Sequence, residues 1–232
     1  MRETRITAIF AFVAAVAAAT VGVSHFMMPR EQLHLATGVT QAFFESLAAG
    51  SGAFRIHYWS FVVASLAYTA VVVGCRQLVA PPRSLSYRIA EVWGLVGLTA
   101  AAIDFALMES KALSIAAAFG GLDTPARSAA VAMGLPRLDP TGLFSFGMLG
   151  LWLASFSWAA RRALGPVLPW LGMFGALLYG AVFVGSLAHL PLLIDIGAGL
   201  GGVIVAPVWS VWLGTVLWRM RGDEAAEVAA CS

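Results

Sequence analysis

The sequence predicts an all-α protein, namely a polytopic membrane helix bundle with six transmembrane helices and short surface helices in its outer loops. The first observation is the composition, because 60% of the 232 residues are hydrophobic and only 11% are charged. The mean hydropathy is +0.85. A soluble domain carries roughly 25% charged residues. The second observation is a series of six apolar segments, each close to the ~20 residues that a spanning helix needs.

The six segments belong to a single transmembrane domain that covers residues 1–232. They lie at about 6–28, 54–78, 88–108, 141–160, 167–189 and 194–218. Polar residues and turn-forming dipeptides such as Gly165-Pro166 separate them. The apolar run from Ile6 to Val23 is longer than the roughly 7–15 apolar residues of a signal peptide. We therefore expect it to remain as the first span.

Two outer loops are predicted to contain short helices that lie on the membrane surface. In the segment 31–50, Leu47 follows Phe43 by four positions and Phe44 by three, so that a helix would carry one apolar face. The segment 124–135 shows a weaker form of the same pattern.

The distribution of basic residues predicts the orientation. Nine flank the spans on the side of the termini: Arg2, Arg5, Arg76, Arg83, Arg88, Arg161, Arg162, Arg219 and Arg221. Five lie on the opposite side: Arg30, Arg55, Lys111, Arg127 and Arg137. The positive-inside rule places both termini in the cytoplasm. Four tryptophans near that same boundary fit an aromatic belt: Trp93, Trp158, Trp170 and Trp218.

The last span contains a string of glycines. Residues 189–202 read HLPLLIDIGAGLGG and match Gly-x-Gly-x-x-Gly at Gly197, Gly199 and Gly202. The dinucleotide fingerprint of that form follows a strand, whereas these glycines lie within an apolar span. We expect them to allow close helix packing, with Ala198 and Gly202 as a small-xxx-small pair. Pro207 is expected to kink the same helix, and a helix of this kind can also line a binding site.

Ionisable side chains in apolar spans cost ~2.5–3.5 kcal/mol each on insertion scales and therefore indicate function. Asp104 lies sixteen residues after Arg88, which is about 24 Å across a core of about 30 Å. Topology brings His25, His57, His189 and Asp195 to the same level. The residues predicted to bind a ligand are Asp104, His57 and Asp195. We expect Asp104 to pair with His57 or Arg55.

Two interpretations of these side chains remain open. In the first they converge on a metal ion or a haem, because imidazole and carboxylate ligate Zn, Fe and Cu. The metal-ligand candidates are His25, His57, Asp104, His189 and Asp195. In the second, each side chain has only a local role in its own helix, as an acid that stabilises a helix N-terminus does. Glu91, in the first turn of its span beside Arg88, is placed in this second class. No catalytic residue is predicted.

Two parts of the chain are similar to each other. Residues 58–75 can be aligned with 169–186 with identities that include Trp59/Trp170 and Tyr68/Tyr179. The two spans cross the membrane in opposite senses, as the halves of an inverted repeat do in many transporters.

The C-terminal half also resembles a known bacterial membrane family. The motifs are the basic turn at Arg161-Arg162, the "LPWLG" at 168–172 and the closing "PVWSVWLG" at 207–214. Over roughly residues 54–218 the chain is similar to the family called domain of unknown function 4386. This resemblance implies a bundle of six or seven helices in a bacterial inner membrane. It implies no catalytic residue.

These observations lead to three functional expectations. The first is a non-catalytic integral membrane module that binds a small or lipidic ligand, or a partner subunit, in a polar pocket near the outer leaflet. The others are a metal- or haem-dependent membrane enzyme and a small inverted-repeat carrier. The expected partners are the lipid bilayer and a membrane subunit or second copy that packs on Gly-rich helix faces. A net charge of +2 gives no sign of a nucleic-acid partner.

Overall fold

The computed structural model describes residues 2–33, 38–79 and 84–220, and in these ranges the chain is helical with no β-strand. The α-helices are α1 (Arg2–Met27), α2 (Gln41–Ala49), α3 (Gly52–Cys75), α4 (Leu85–Phe119), α5 (Thr124–Met133), α6 (Leu149–Ala159), α7 (Leu168–Leu187), α8 (Pro191–Ile196) and α9 (Ala206–Arg219). Two π-helices, Leu143–Met148 and Gly197–Val205, lead into α6 and α9. Short 3₁₀ helices follow α1 and α3, at Arg30–Gln32 and Arg76–Leu78.

Five helical segments are long and apolar enough to cross a membrane: Glu3–Met27, Gly52–Leu78, Leu85–Phe119, Leu168–Leu187 and Pro191–Arg219. Each overlaps one of the predicted spans. The remaining predicted span, 141–160, corresponds to the shorter apolar helix Leu143–Ala159. The prediction of an all-α, multi-pass membrane protein is therefore confirmed. Arg83, Arg221 and Cys231 lie outside the described residues.

The long helices pack in the order in which they occur along the chain. α1 packs on α3, α3 on α4, α4 on α6 and α6 on α7. α7 packs on the last helical segment, Pro191–Arg219, and α9 packs on α1, so that the helices form a closed ring. The connections from α3 to α4 and from α6 to α7 are short, which makes these two pairs antiparallel neighbours.

Small residues bring α1 close to both of its neighbours. Gly74 of α3 lies directly against Thr7, and a Cβ atom on Gly214 of α9 would lie 2.9 Å from the ring of Phe12. Ala8 and Ala11 are completely buried. Such close approach allows van der Waals contact where lipid removes the hydrophobic drive for association.

The interior contains two apolar cores. The first is built around Trp152, which stacks on Phe156 at 5.4 Å between ring centres. The second contains aromatic residues of three helices, among them Phe44 of α2, Phe54 of α3 and Phe119 of α4. We call the second region the α2 end of the bundle and the opposite region, where Arg5 of α1 contacts α9, the Arg5 end.

The third span is longer than the sequence predicts. The predicted span ends at residue 108, because Glu109 and Lys111 follow, whereas α4 continues to Phe119 and contains 35 residues. Its length is therefore about 52 Å, well beyond a hydrocarbon core of about 30 Å. The additional turns are helical because their apolar residues are buried at the α2 end, where Phe119 packs on Phe44 with ring centres 5.0 Å apart.

Both predicted loop helices form, but the environment of α2 differs from the prediction. Its helix begins after Thr40, whose side chain accepts a hydrogen bond from the backbone N–H of Phe43. The apolar face of α2 is buried within the second core rather than turned outward. Phe43 and Phe44 are completely buried. The protein itself, and not the membrane surface, therefore covers this face.

The glycine string allows close helix packing, as predicted, but the glycines in contact are not the predicted ones. A Cβ atom on Gly197 would lie 2.6 Å from the carbonyl oxygen of Leu178 in α7, and one on Gly201 would lie 3.1 Å from the Cβ of Leu178. A Cβ on Gly202 would meet open space. The small-xxx-small pair is therefore Gly197 and Gly201, rather than Ala198 and Gly202. The π-helix through this segment ends just before Pro207, which lacks an N–H for the helical ladder.

Candidate functional site

A cleft of about 390 Å³ opens at the α2 end, between α1, α3 and the last helical segment. Its polar lining includes His25, His57 and Asp195, and its aromatic lining includes Tyr58 and Phe61. Three of the five residues that the sequence singled out as candidates thus line one cavity. The backbone of Gly199 forms part of the opposite wall, because a glycine has no side chain to fill the space.

His57 is the best-positioned polar group of the cleft. It lies in the second turn of α3, is 3% exposed, and packs edge-on against Phe61 with ring centres 5.0 Å apart. Its Nδ1 atom is 3.1 Å from the carbonyl oxygen of Val21 and 3.2 Å from the hydroxyl of Ser24. A carbonyl oxygen only accepts, so the Nδ1 atom of His57 carries a hydrogen and donates it to Val21.

Ser24 holds the imidazole in this orientation. Its hydroxyl is 2.7 Å from the carbonyl oxygen of Thr20, one turn back in α1, to which it donates. The hydroxyl oxygen therefore keeps a lone pair for His57. Ser24 is 2% exposed. Ser24 is not among the residues predicted from the sequence, although its position next to His25 near the end of a predicted span is a possible signal.

His25 stands beside His57, with 5.8 Å between ring centres and planes tilted by 41°. It is half-buried at the C-terminal end of α1. The two imidazoles come from α1 and α3, which pack along their whole length. The cleft therefore has a pair of imidazoles on one side and Asp195 of α8 on the other. Asp195 is exposed.

Gln32 closes the cleft towards the α2 end. It is 1% exposed, and its Nε2 atom donates to the carbonyl oxygen of Gly50 at 2.8 Å and to the hydroxyl of Ser46 at 3.1 Å. These bonds attach the segment after α1 to the C-terminal end of α2. Because the wall is tied to a buried helix, the cleft has a fixed shape on this side.

Asp104 is positioned differently from the prediction. It is completely buried in α4, and its Oδ1 atom accepts a hydrogen bond from the backbone N–H of Leu138 at 2.5 Å. Its Oδ2 atom is 3.8 Å from Nε of Arg137. The expected partner Arg55 instead pairs with Glu109, at 3.2 Å. The physical reason is that residues after α5 fold back over α4 and bring a cation to the buried acid.

His189 has a local role in the chain. It is exposed in the turn between α7 and α8 and has a positive φ of 53°. Histidine is enriched several-fold among the uncommon residues that adopt this conformation. It lies outside the cleft lining, and the turn is closed by a bond from the N–H of Leu190 to the carbonyl oxygen of Gly185 at 2.8 Å.

The five candidate metal ligands do not form one coordination sphere. Within residues 2–33, 38–79 and 84–220, no group of three or more His, Cys, Asp or Glu side chains is arranged to hold a metal ion. His25, His57 and Asp195 share the cleft, whereas Asp104 pairs with Arg137. The arrangement suits a molecule that occupies the space between these groups.

Glu91 has a partner that sequence reasoning missed. Helix α4 begins at Leu85, so that Glu91 lies in its second turn and is 8% exposed. Its Oε1 atom is 3.5 Å from Nε of Arg76, which follows α3. The pair joins α3 to α4 near the Arg5 end. The prediction that Glu91 lies in the first turn of its helix is therefore wrong.

Comparisons with protein-family models, curated proteins and solved structures give no match for this chain.

Proposed function

We propose that this protein is a non-catalytic membrane module that binds a small amphipathic molecule in the cleft between α1, α3 and the last helical segment. The proposal includes an orientation in which both termini are cytoplasmic and the cleft opens near the outer leaflet of a bacterial inner membrane. It also includes a relationship to the family 4386, on the motifs between residues 54 and 218. The observation that carries it is the presence of His57 and Asp195 in one aromatic-lined cavity.

The carboxylate of the cleft favours a ligand that donates hydrogen bonds. The exposed carboxylate of Asp195 only accepts them. An ammonium group would form charge-assisted hydrogen bonds with this carboxylate. Tyr58 and Phe61 also line the cleft and provide apolar surface for the body of such a ligand. We therefore propose an aromatic or aliphatic amine as the ligand class.

The size of the cavity supports a small molecule. Its volume of about 390 Å³ is within the range of ~300–1,000 Å³ that ligand pockets occupy. The His57 side of the cleft is held by Ser24 and the Gln32 side by Gly50, so that these walls exist before the ligand arrives. A preformed site loses less conformational entropy on binding.

The test uses phenethylamine as a probe and the purified protein in detergent. We expect phenethylamine to raise the melting temperature with saturation, because a ligand that binds only the folded state stabilises it. Phenylacetate, of similar size but opposite charge, is expected to have no such effect. The substitution Asp195→Asn should weaken phenethylamine binding about tenfold, which corresponds to 1.4 kcal/mol.

The control variant is Glu45→Gln, which removes an exposed carboxylate on α2 that is outside the cleft lining. It should bind phenethylamine as the wild type does. Equal stabilisation by phenethylamine and phenylacetate would contradict the proposal. So would an Asp195→Asn variant with unchanged affinity.

A further inference from the structure

A second cavity runs along the surface of the bundle, on a different face of α1 from the cleft. It is an open groove of about 1080 Å³ with α1 as its floor and α3 and α9 as its sides. Its lining includes Ile9, Val16 and Thr20 on α1, Trp59 on α3, and Trp218 and Arg219 on α9. The groove exists because α1, which is rich in alanine, is recessed between two helices that carry tryptophans.

The lining of the groove is apolar, and its threonines are satisfied within their own helices. Thr20 donates to the carbonyl oxygen of Val16 at 2.8 Å, and Thr215 donates to that of Val211 at 2.8 Å. Val16 is 68% exposed. These hydroxyls therefore need no partner from an occupant, and the floor favours a hydrocarbon chain over a polar one.

The length of the groove corresponds to one leaflet of a bilayer. From Ile9 to Thr20 the chain rises eleven residues, which is about 16 Å along the helix axis. Half of a hydrocarbon core of about 30 Å has the same length. A single acyl chain that starts at one membrane surface and ends near the midplane would therefore cover this floor.

The end of the groove near Ile9 carries positive charge. Arg219 lines it and is exposed. The guanidinium of Arg5 is also exposed and lies 5.8 Å from the ring centre of Trp218. Guanidinium groups bind phosphate oxygens through two parallel hydrogen bonds. Tryptophan is enriched at the level of the lipid headgroups.

We propose that this groove binds an anionic phospholipid from the leaflet at the Arg5 end of the bundle. An acyl chain lies on α1 between Trp59 and Trp218, and the headgroup phosphate accepts hydrogen bonds from Arg5 and Arg219. The site is independent of the amine cleft, because the two cavities share no lining residue.

The test is native mass spectrometry of the purified full-length protein with equimolar phosphatidylglycerol and phosphatidylcholine. We expect several-fold more phosphatidylglycerol to be retained. The double variant Arg5→Gln/Arg219→Gln should lower the retention of phosphatidylglycerol to the level of phosphatidylcholine. Val16→Trp, which fills the floor of the groove, should reduce retention of both lipids.

Two matched control variants carry the same types of substitution at positions outside the groove. Arg161→Gln removes an exposed arginine that lies 4.4 Å from the ring centre of Trp158, and Val92→Trp adds the same bulk at an exposed position of α4. Both should retain phosphatidylglycerol as the wild type does. Equal retention of the two lipids overturns the proposal, as does a preference that survives the double arginine variant. A lipid-free dimer that Val16→Trp dissociates also overturns it and assigns the groove to a second copy.

Discussion

Asp104 and Arg137 form an ion pair across the α2 end, with 3.8 Å between Oδ2 and Nε, in which the carboxylate is completely buried. Arg137 comes from the segment after α5, and the N–H of Leu138 bonds the other carboxylate oxygen. One buried acid thus holds a connecting segment against α4.

We predict that Arg137→Gln lowers the free energy of unfolding by about 3 kcal/mol, because it leaves a buried carboxylate without its cation. Asp104→Asn should cost less, since an amide oxygen still accepts from Leu138 while the charge is removed. Denaturation of the two single variants and of the double variant in detergent gives the coupling energy between Asp104 and Arg137. The control is Arg161→Gln, which removes an exposed arginine whose guanidinium lies 4.4 Å from the ring centre of Trp158 and whose loss should cost at most about 1 kcal/mol. Equal losses for Arg137→Gln and Arg161→Gln would refute the prediction.

The glycine string allows a comparison within one helical segment. Gly197→Ala should destabilise the protein by about 1–3 kcal/mol, because its Cβ would meet the backbone of α7, which cannot move aside. Gly202→Ala should be neutral or stabilising, since its Cβ meets nothing within 4 Å and alanine favours a helix. Thermal unfolding of the two variants measures the difference. The reverse order of stability would place the packing face on Ala198 and Gly202 after all.

A buried hydrogen bond joins α3 to α9 inside the ring. The hydroxyls of Tyr68 and Ser210 are 2.6 Å apart, and Tyr68 also donates towards the carbonyl oxygen of Ala206 at 3.3 Å. We predict a coupling energy of about 0.6–1.7 kcal/mol in a double-mutant cycle of Tyr68→Phe and Ser210→Ala, the size found for such bonds in membrane proteins. Additive losses of stability would show that the two hydroxyls act separately.

The short helix Leu143–Ala159 decides whether the chain crosses the membrane six times. Gly120 and Arg161 are exposed on either side of it. In a background with Cys75→Ser and Cys231→Ser, an impermeant maleimide added to intact cells should label Gly120→Cys but not Arg161→Cys. Both should react after permeabilisation, which serves as the control. Labelling of both cysteines in intact cells would exclude a crossing by this helix.

The positions of the spans could be predicted because hydropathy is a local property of the chain. The common location of His25, His57 and Asp195 at one end of the bundle could be predicted as well, since each lies near the end of an apolar segment. Pairings such as Asp104 with Arg137 could not be predicted, because they depend on which helices are neighbours and on how a connecting segment folds back. The length of α4 was missed for the same reason, since its last turns are stabilised by packing on α2 rather than by lipid. The metal-enzyme and carrier alternatives stay predictions.

The closed ring sets an order for biogenesis. Phe12 packs against Gly214, a residue that leaves the ribosome about 200 positions later, or roughly 10–40 s at 5–20 residues per second. During that interval α1 has one of its two neighbours at most, and its alanine-rich surface is open on the other flank. Nascent chains that stop before α9 should therefore depend on an insertase or membrane chaperone to shield the first helix, and they should be degraded faster than the completed protein.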